Sequence, residues 1–213
     1  MRFIPFSIHT GQENMQIDSD LLDNAIIEKS TEPIFRLYGW FPKCISLGRN
    51  QKNVNYENKG IDCVRRLTGG RALLHDNEVT YSYISPISII PNGEKISDSY
   101  KYISGILINF FRTLGIELNF GENKKISTHF DYCMLLSTGA DVCYKGQKII
   151  GSAQYRKEGY VLQHGSILFG YDKELLESIF NEEVTGITTV KEVLPDISKE
   201  VFVQEFEHFL SQL

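Results

Sequence analysis

The stretch from Arg65 to Asp76, RRLTGGRALLHD, brings together more chemically capable residue types than any other part of the chain. Two arginines open it, two glycines turn it and a His-Asp pair closes it. Adjacent guanidinium groups offer fixed forks of N–H donors for a carboxylate or phosphate. A glycine lets a ligand approach the main chain, because no Cβ blocks the way. The candidate binding residues of this stretch are Arg65, Arg66, Gly69, Gly70, Arg71 and His75.

A second stretch, from Gly146 to Leu168, places a lysine, several small residues and a histidine on two predicted strands. The ammonium group of Lys148 is suited to stabilise negative charge on a carbonyl or carboxyl oxygen, although most lysines simply lie at the surface. Gly151 and Ala153 leave space beside the strand, which serves either a bound chain or close strand packing. His164 is either a contact of a bound molecule or a hydrogen-bonded core histidine.

Together the two stretches resemble the biotin/lipoate protein ligase superfamily. The similarity rests on the RR-x-TGG-x-A-x-x-HD string, on K-x-x-GSA and on the closing HGSIL, and it spans roughly residues 36 to 169. Within the superfamily, these motifs are most similar to those of the lipoate-ligase-like octanoyltransferases, and the lipoate–protein ligases are also similar. The predicted strands outnumber the predicted helices and are joined by short turns, which implies an α+β fold with packed helices on a mixed, mainly antiparallel sheet; the resemblance implies the catalytic-domain type of that superfamily. It also implies one catalytic domain over residues 1–213, without a C-terminal accessory domain.

The resemblance assigns roles to several of these residues. It implies that Lys148 holds the carbonyl of a bound acyl group and that Gly151 and Ala153 border its chain. It places His75 and His164 beside the acyl site, where they would orient or contact the substrate. The other implied substrate-binding residues are Arg65, Arg66, Gly69, Gly70 and Arg71. No metal ligand is implied, and the transferase reaction needs no cofactor.

Cys133 is the residue that distinguishes between reactions. In octanoyltransferases of this type the nucleophile is a cysteine in the loop before the lysine strand, and Cys133 precedes Lys148 at the separation that the resemblance leads us to expect. Its thiolate would accept an octanoyl group as a thioester, which a carrier lysine would then attack to form an amide. The residues after Cys133, MLLSTGAD, lack the aromatic-rich sequence of those transferases. The alternative is a buried thiol that packs as a small hydrophobic group; strand alternation predicts that role for Cys143.

Other functions stay open at this point. An ATP-dependent lipoate–protein ligase would use ATP and Mg²⁺ to activate a free acid as an adenylate; the GRNQ segment at residues 48–51 favours it, and Arg65 and Arg66 would suit the phosphate. An amidotransferase that moves lipoyl groups between carriers would use the same cysteine. A non-catalytic acyl-binding or carrier-binding module is disfavoured by the presence of His75, Cys133 and Lys148. Biotin–protein ligase is a weaker alternative, because its GRGR-type phosphate loop is not present.

Composition excludes several classes of function. The 213 residues carry a net charge of -5, which argues against non-specific nucleic-acid binding. No apolar run approaches the roughly 20 residues of a membrane span, and the N-terminus does not have the pattern of a signal peptide. The four cysteines lack metal-ligand spacing, so we expect reduced thiols, no zinc site and a cytoplasmic location.

Partners follow only from the resemblance. It implies acyl carrier protein as the acyl donor. The acceptor would be a lipoyl carrier domain, either the glycine-cleavage H protein or the E2 subunit of a 2-oxoacid dehydrogenase. We expect the enzyme to act as a monomer in transient contact with both, without nucleic acid or membrane.

Regular elements must hold these residues in place. Alternation predicts a strand from Val79 to Ser85, and apolar residues at helical spacing predict a helix from Ser97 or Asp98 to Gly115 that packs on the core. Asp172 and Ser198 are predicted to cap two later helices, and Ser19 to cap an early one. The other predicted strands are 33–40, 44–48, 62–66, 140–145, 148–155 and 160–169. A polar loop from Gly121 to Thr138 is predicted to be functional.

Overall fold

The computed structural model describes residues 1–52, 56, 60–121, 132–135, 139 and 141–213. The predicted functional loop from Gly121 to Thr138 lies mostly outside the described residues. The strands are β1 (Arg2–His9), β2 (Ile34–Trp40), β3 (Cys44–Leu47), β4 (Asp62–Arg65), β5 (Leu73–His75), β6 (Glu78–Pro86), β7 (Asn119–Phe120), β8 (Val142–Tyr144), β9 (Gln147–Lys157) and β10 (Tyr160–Leu168). The helices are α1 (Gly11–Ile27), α2 (Ile96–Thr113), α3 (Lys173–Phe180), α4 (Val190–Val193) and α5 (Lys199–Ser211).

Seven strands form the main sheet, in the order β1-β2-β6-β10-β9-β8-β7. Only the β1–β2 pair is parallel, and the remaining pairs are antiparallel. A smaller sheet, β4-β3-β5, lies apart from it, with β3 parallel to β4 and antiparallel to β5. The architecture is the predicted α+β type with a mixed, mainly antiparallel sheet.

Alternation along β6 separates two faces of the main sheet, as predicted. Val79, Tyr81 and Tyr83 join a large core in which α2 and α5 cover the sheet. The rings of Phe110 and Phe206 stack there with centroids 4.1 Å apart. Burial of such apolar and aromatic surface is the main favourable term in folding, so this face serves as the structural base of the domain.

The opposite face of the main sheet is covered by α1 and is unusually polar. Thr10 caps α1 through a reciprocal capping box with Glu13, a sequence pattern typical of helix starts. The prediction that Ser19 caps this helix is wrong, because α1 already begins at Gly11 and Ser19 lies within it. The helix consequently carries the buried polar residues Asn14 and Asp18 towards the sheet.

The small sheet stands beside α1 and carries the segment predicted to bind ligand. After β4, residues 66–72 turn back through Gly69 and Gly70 into β5. Gly70 has φ +96°, a conformation that side-chain-bearing residues rarely adopt. A Cβ there would also lie 2.8 Å from the Arg66 guanidinium. The glycine turn, defined as residues 68–71, therefore depends on glycine for both backbone and packing reasons.

Candidate functional site

An interior pocket lies between the polar face of the main sheet, α1 and the small sheet. Its cavity volume is about 30 Å³, and the empty space reaches about 370 Å³ when the mouth and the adjoining open solvent are included. Most of its exposed wall is apolar, which suits a hydrocarbon chain. The residues around it are Met15, Tyr38, Trp40, Ser46, Arg66, Leu73, His75, Thr80, Cys133, Gly151, Ser152, Ala153, His164, Gly165 and Ser166.

A wider outer cleft of about 880 Å³, mouth included, adjoins this pocket. It is lined by Gly69, Gly70, Arg71, Tyr100, Cys133, Asp141, Lys148, Ser152, Ala153 and Gln154. Cys133, Ser152 and Ala153 line both spaces. Cys133 therefore lies where an apolar interior meets a cleft that contains cationic side chains.

Three separate contacts fix the short 3₁₀ turn Cys133–Leu135. The N–H of Cys133 donates to the carbonyl of Ala72 at 2.8 Å. The carbonyl of Cys133 accepts from Lys148 Nζ at 3.1 Å. Met134 is buried against β9, so that a Cβ on Gly151 would lie 2.7 Å from its Sδ. Close packing, one of the two roles that the sequence leaves open for Gly151, therefore already requires glycine at this position.

Lys148 is buried rather than at the surface. Its side chain is 2% exposed and forms an ion pair with Asp141, Nζ to Oδ1 3.0 Å. Its backbone is fixed as well, with its N–H bound to Gly186 and its carbonyl to Thr188. A buried ammonium needs such partners, because desolvation of an isolated charge is costly. Both side chains line the outer cleft together with Cys133.

Arg66 lies between the pocket and the glycine turn and contacts both. Its guanidinium donates to the carbonyls of Ser46, Gly69 and Arg71. It also donates to the hydroxyls of Ser46 and Thr68. Burial lowers the pKa of this guanidinium. Arg66 thus contributes a buried positive charge to the pocket while it holds the turn in shape.

His75 is a hydrogen-bonded wall residue of the pocket. Its Nε2 lies 2.8 Å from Ser46 Oγ and its Nδ1 lies 3.4 Å from Glu78 Oε1. Its ring stacks on Trp40 with centroids 3.8 Å apart. Burial lowers the pKa of His75, while Glu78 acts in the opposite direction. The side chain of Glu78 also accepts from Thr80 and from Ser166.

His164, on β10, joins the pocket to α1. Its Nδ1 lies 3.2 Å from Asp18 Oδ2 and its Nε2 lies 2.7 Å from Thr68 Oγ1. Asp18 also accepts from Arg36 at 2.8 Å, from Tyr38 at 2.9 Å and from Ser82 at 2.9 Å. Burial alone would raise the pKa of Asp18, but its bond to His164 and its other partners outweigh this effect and hold the pKa low.

The remaining predicted residues are divided between the cleft and the scaffold. Gly69, Gly70 and Arg71 line the outer cleft, and Ala153 lies where cleft and pocket meet. Arg65 lines neither space. Its guanidinium donates to the carbonyls of Gly48 at 2.8 Å and Gln51 at 2.9 Å, and so supports the turn after β3.

The other cysteines differ from Cys133 in their surroundings. Cys44 is buried, and burial raises the pKa of its thiol to about 12. Cys143 is buried on β8, in agreement with its predicted packing role. Cys63 lies on β4 and lines neither the pocket nor the cleft.

Sequence reasoning missed Asp18, Glu78, Tyr100 and Asp141 as site residues. The available signal was weak, since isolated acidic residues usually lie at the surface. Tyr100 lines the outer cleft from α2, and burial raises its pKa to about 12. Across the described ranges, no group of three or more His, Cys, Asp or Glu side chains could hold a metal ion. None of the helices in those ranges is both long enough and apolar enough to cross a membrane.

The chain belongs to a known class of catalytic domain. Residues 10–212 match the lipoyl protein ligase A/B catalytic domain, and the chain belongs to that family. It is 38% identical over 181 residues to the octanoyltransferase LipM of Carboxydothermus hydrogenoformans, covering 82% of this chain and 67% of that relative. It is likewise 38% identical over 202 residues to LipM of Geobacillus kaustophilus, covering 86% and 71%. The chain thus spans about two thirds of the length of these relatives.

Solved structures with the same fold include lipoate-protein ligases. A lipoate-protein ligase A bound with ATP superposes with a TM-score of 0.73 at 21% identity, covering 99% of this chain and 84% of that one. LipL1 of P. falciparum in complex with lipoate gives 0.72 at 20% identity, covering 99% and 59%. At this level of identity the likeness concerns the fold alone.

Proposed function

We propose that this chain is an octanoyltransferase of protein lipoylation that works through a thioester on Cys133. The observation that carries the proposal is the position of Cys133, at the junction of an apolar pocket and a cleft that contains Lys148. An acyl chain in the pocket would present its carbonyl to the thiol, and the cleft would admit the donor and the acceptor. The identity of 38% to octanoyltransferases supports the choice of acyl group.

The reaction divides into two transfers. In the first, the Cys133 thiol loses its proton and the thiolate attacks the donor thioester; the new S–C bond forms, the donor C–S bond breaks, and the donor sulfur leaves as a thiolate that takes up the proton Cys133 lost. In the second, the neutral ε-amine of a carrier lysine attacks the acyl-enzyme. A C–N bond forms, the Cys133–acyl bond breaks, and the amine proton passes to the released Cys133 sulfur. A covalent intermediate of this kind replaces one difficult step by two easier ones.

Lys148 supports both transfers as a fixed cation. Each attack converts the acyl carbonyl into a tetrahedral oxyanion, and a preorganised ammonium in a site shielded from water stabilises that charge. The 2% exposure of Lys148 and its contact with the backbone of Cys133 fit this role. Ala153 borders the passage between the two spaces, and Arg71 adds a second positive charge to the cleft.

The partners in this proposal are two carrier proteins. Acyl carrier protein supplies the octanoyl thioester, and a lipoyl carrier domain supplies the acceptor lysine. No ATP is needed, since one thioester replaces another and formation of the stable amide completes the sequence. An ATP-dependent ligase on the same fold would instead need a free acid and a nucleotide, so the two reactions have different requirements.

Intact-protein mass spectrometry tests the proposal directly. The wild-type protein is mixed with octanoyl-acyl carrier protein without ATP, alongside Cys133→Ala and the matched control Cys63→Ala. We expect an octanoyl adduct on the wild type and on Cys63→Ala that hydroxylamine removes, and none on Cys133→Ala. Addition of a lipoyl carrier domain should then discharge the adduct. Carrier modification that requires ATP and free octanoate, without any adduct, would make the chain a ligase.

A further inference from the structure

We propose that Asp141 is a positioning residue for acyl transfer, and that its carboxylate holds the ammonium group of Lys148 against the Cys133 turn. The proposal rests on the function proposed above. Asp141 directly precedes β8, and its backbone carbonyl accepts from the N–H of Gly121 at 2.9 Å. This bond and the following strand fix where its side chain begins.

The geometry places the lysine between two oxygens. Lys148 Nζ lies 3.0 Å from Asp141 Oδ1 and 3.1 Å from the carbonyl oxygen of Cys133. One oxygen belongs to the turn that carries the thiol, and the other to a different strand. Since the backbone of Lys148 is itself bonded on both sides, the two oxygens determine the direction of a side chain that is otherwise long and flexible.

The charges of the cleft support the same reading. Among the described residues that line it, Asp141 supplies the only negative charge, beside the positive charges of Arg71 and Lys148. Its carboxylate is 6% exposed, so the interaction with Lys148 is little screened by solvent. Loss of that carboxylate would remove a buried ionic partner of the ammonium, and the ammonium would turn away from the reacting carbonyl or draw water into the cleft.

The test measures single-turnover acylation of Cys133 by octanoyl-acyl carrier protein, with intact mass as the readout. The variants are Asp141→Asn, Lys148→Met and the double variant. Asp23→Asn, which breaks the exposed Asp23–Lys157 pair, is the matched control. The final amplitude counts competent sites, and the rate at saturating donor reports the chemistry per competent site. A purely structural role would lower the amplitude and leave that rate unchanged.

We expect Asp141→Asn to slow acylation at saturating donor by about 10- to 100-fold, because the ammonium is misplaced rather than lost, and outright removal of one oxyanion-stabilising donor costs about 10²- to 10³-fold. The apparent donor affinity should change by less than about threefold, because the group acts on the transition state. In the Lys148→Met background the same change should have no further effect, since a residue that acts through Lys148 is silent once the ammonium is gone.

Every other outcome decides against the proposal. An unchanged rate in Asp141→Asn overturns it, as does an equal slowing with and without Lys148. If Asp141→Asn does not fold, Asp141→Glu replaces it, because this variant keeps the charge on a longer side chain. It must fold, reach full amplitude and acylate about 3- to 10-fold more slowly than the wild type, since the ammonium is displaced. A normal rate would overturn the proposal. A wild type that forms no adduct refutes the proposed function itself, before any variant is compared, and the role of Asp141 with it.

Discussion

The N–H of Cys133 donates to the carbonyl of Ala72 at 2.8 Å, and Ala72 directly follows the glycine turn. Tyr132 forms a parallel bridge with the same residue, and its ring stacks on Phe180 at 4.7 Å. The turn that carries the thiol is therefore fixed to the segment that shapes the cleft. The buried guanidinium of Arg66 donates to two carbonyls of that segment. Arg66 is distant from Cys133 in sequence, yet it helps to position the turn that carries Cys133.

Gly151→Ala should impair acyl transfer more than stability. A Cβ at this position would lie 2.7 Å from Met134 Sδ and 3.0 Å from Lys148 Cε, the two side chains that locate the Cys133 turn. Overpacking of this kind costs about 1–3 kcal/mol, while displacement of the reacting groups should slow acylation at least about tenfold. Chemical denaturation and single-turnover acylation measure the two effects. Gly105→Ala, in the interior of α2 where an added Cβ meets nothing, should be stabilising by about 0.5–1 kcal/mol and leave acylation unchanged.

Asp18→Asn should destabilise the protein strongly. Asp18 is buried and paired with Arg36 at 2.8 Å, and both side chains are almost inaccessible to solvent. Removal of one partner leaves an uncompensated buried charge, which costs about 3–5 kcal/mol. Asp23→Asn lies on the same helix but breaks an ion pair whose side chains are 44% and 39% exposed, so its cost should be about 0–1 kcal/mol. Similar midpoints for the two variants in urea denaturation would contradict the role assigned to Asp18.

Much of the fold is visible in the sequence because local rules determine it. The alternation of β6, the apolar stripe of α2 and the caps at Asp172 and Ser198 are all found as predicted. The family motifs also locate Lys148 and Cys133 in one cleft. The strand, helix and caps depend on residues close together in sequence, and the placement of Lys148 and Cys133 follows from the family motifs.

The polar side of the site could not be derived in the same way. Asn14 and Asp18 interrupt the apolar periodicity of α1, so the first half of that helix was not predicted, and their partner Arg36 comes from a distant strand. Arg65 and Arg66 look equivalent in the sequence, yet one supports a surface turn and the other lies under the glycine turn. Which arginine is buried depends on tertiary contacts that no local pattern encodes.

The stability of the protein should fall as the pH drops below about neutrality, and His75 should account for part of the loss. Burial lowers the pKa of His75 from its ordinary value of 6.5, so the unfolded chain binds its proton more readily than the folded one. The stabilisation from neutral His75 is therefore complete above pH 6.5 and is lost as the pH falls towards the lower folded pKa. The maximum slope is about 1.4 kcal/mol per pH unit. Urea denaturation from pH 7.5 to 5.5 measures the free energy of unfolding as a function of pH. The free energy of His75→Gln should fall less steeply than that of the wild type, and parallel curves for the two proteins would exclude a contribution from His75.

Ala153→Leu should discriminate between long and short acyl donors. Ala153 lines both the pocket and the cleft, on β9 opposite His164. A leucine there adds bulk at the passage between the two spaces, while it remains compatible with a strand. We expect acylation of Cys133 by an octanoyl thioester to slow at least about tenfold, because misplacement of the reacting carbonyl is costly.

Acylation by an acetyl thioester, whose short chain does not need the interior pocket, should slow by about threefold or less. Ala153→Ser, which adds a single oxygen, is the control and should stay close to wild type with both donors. Equal losses with octanoyl and acetyl donors would mean that the acyl chain does not pass Ala153 into the interior pocket.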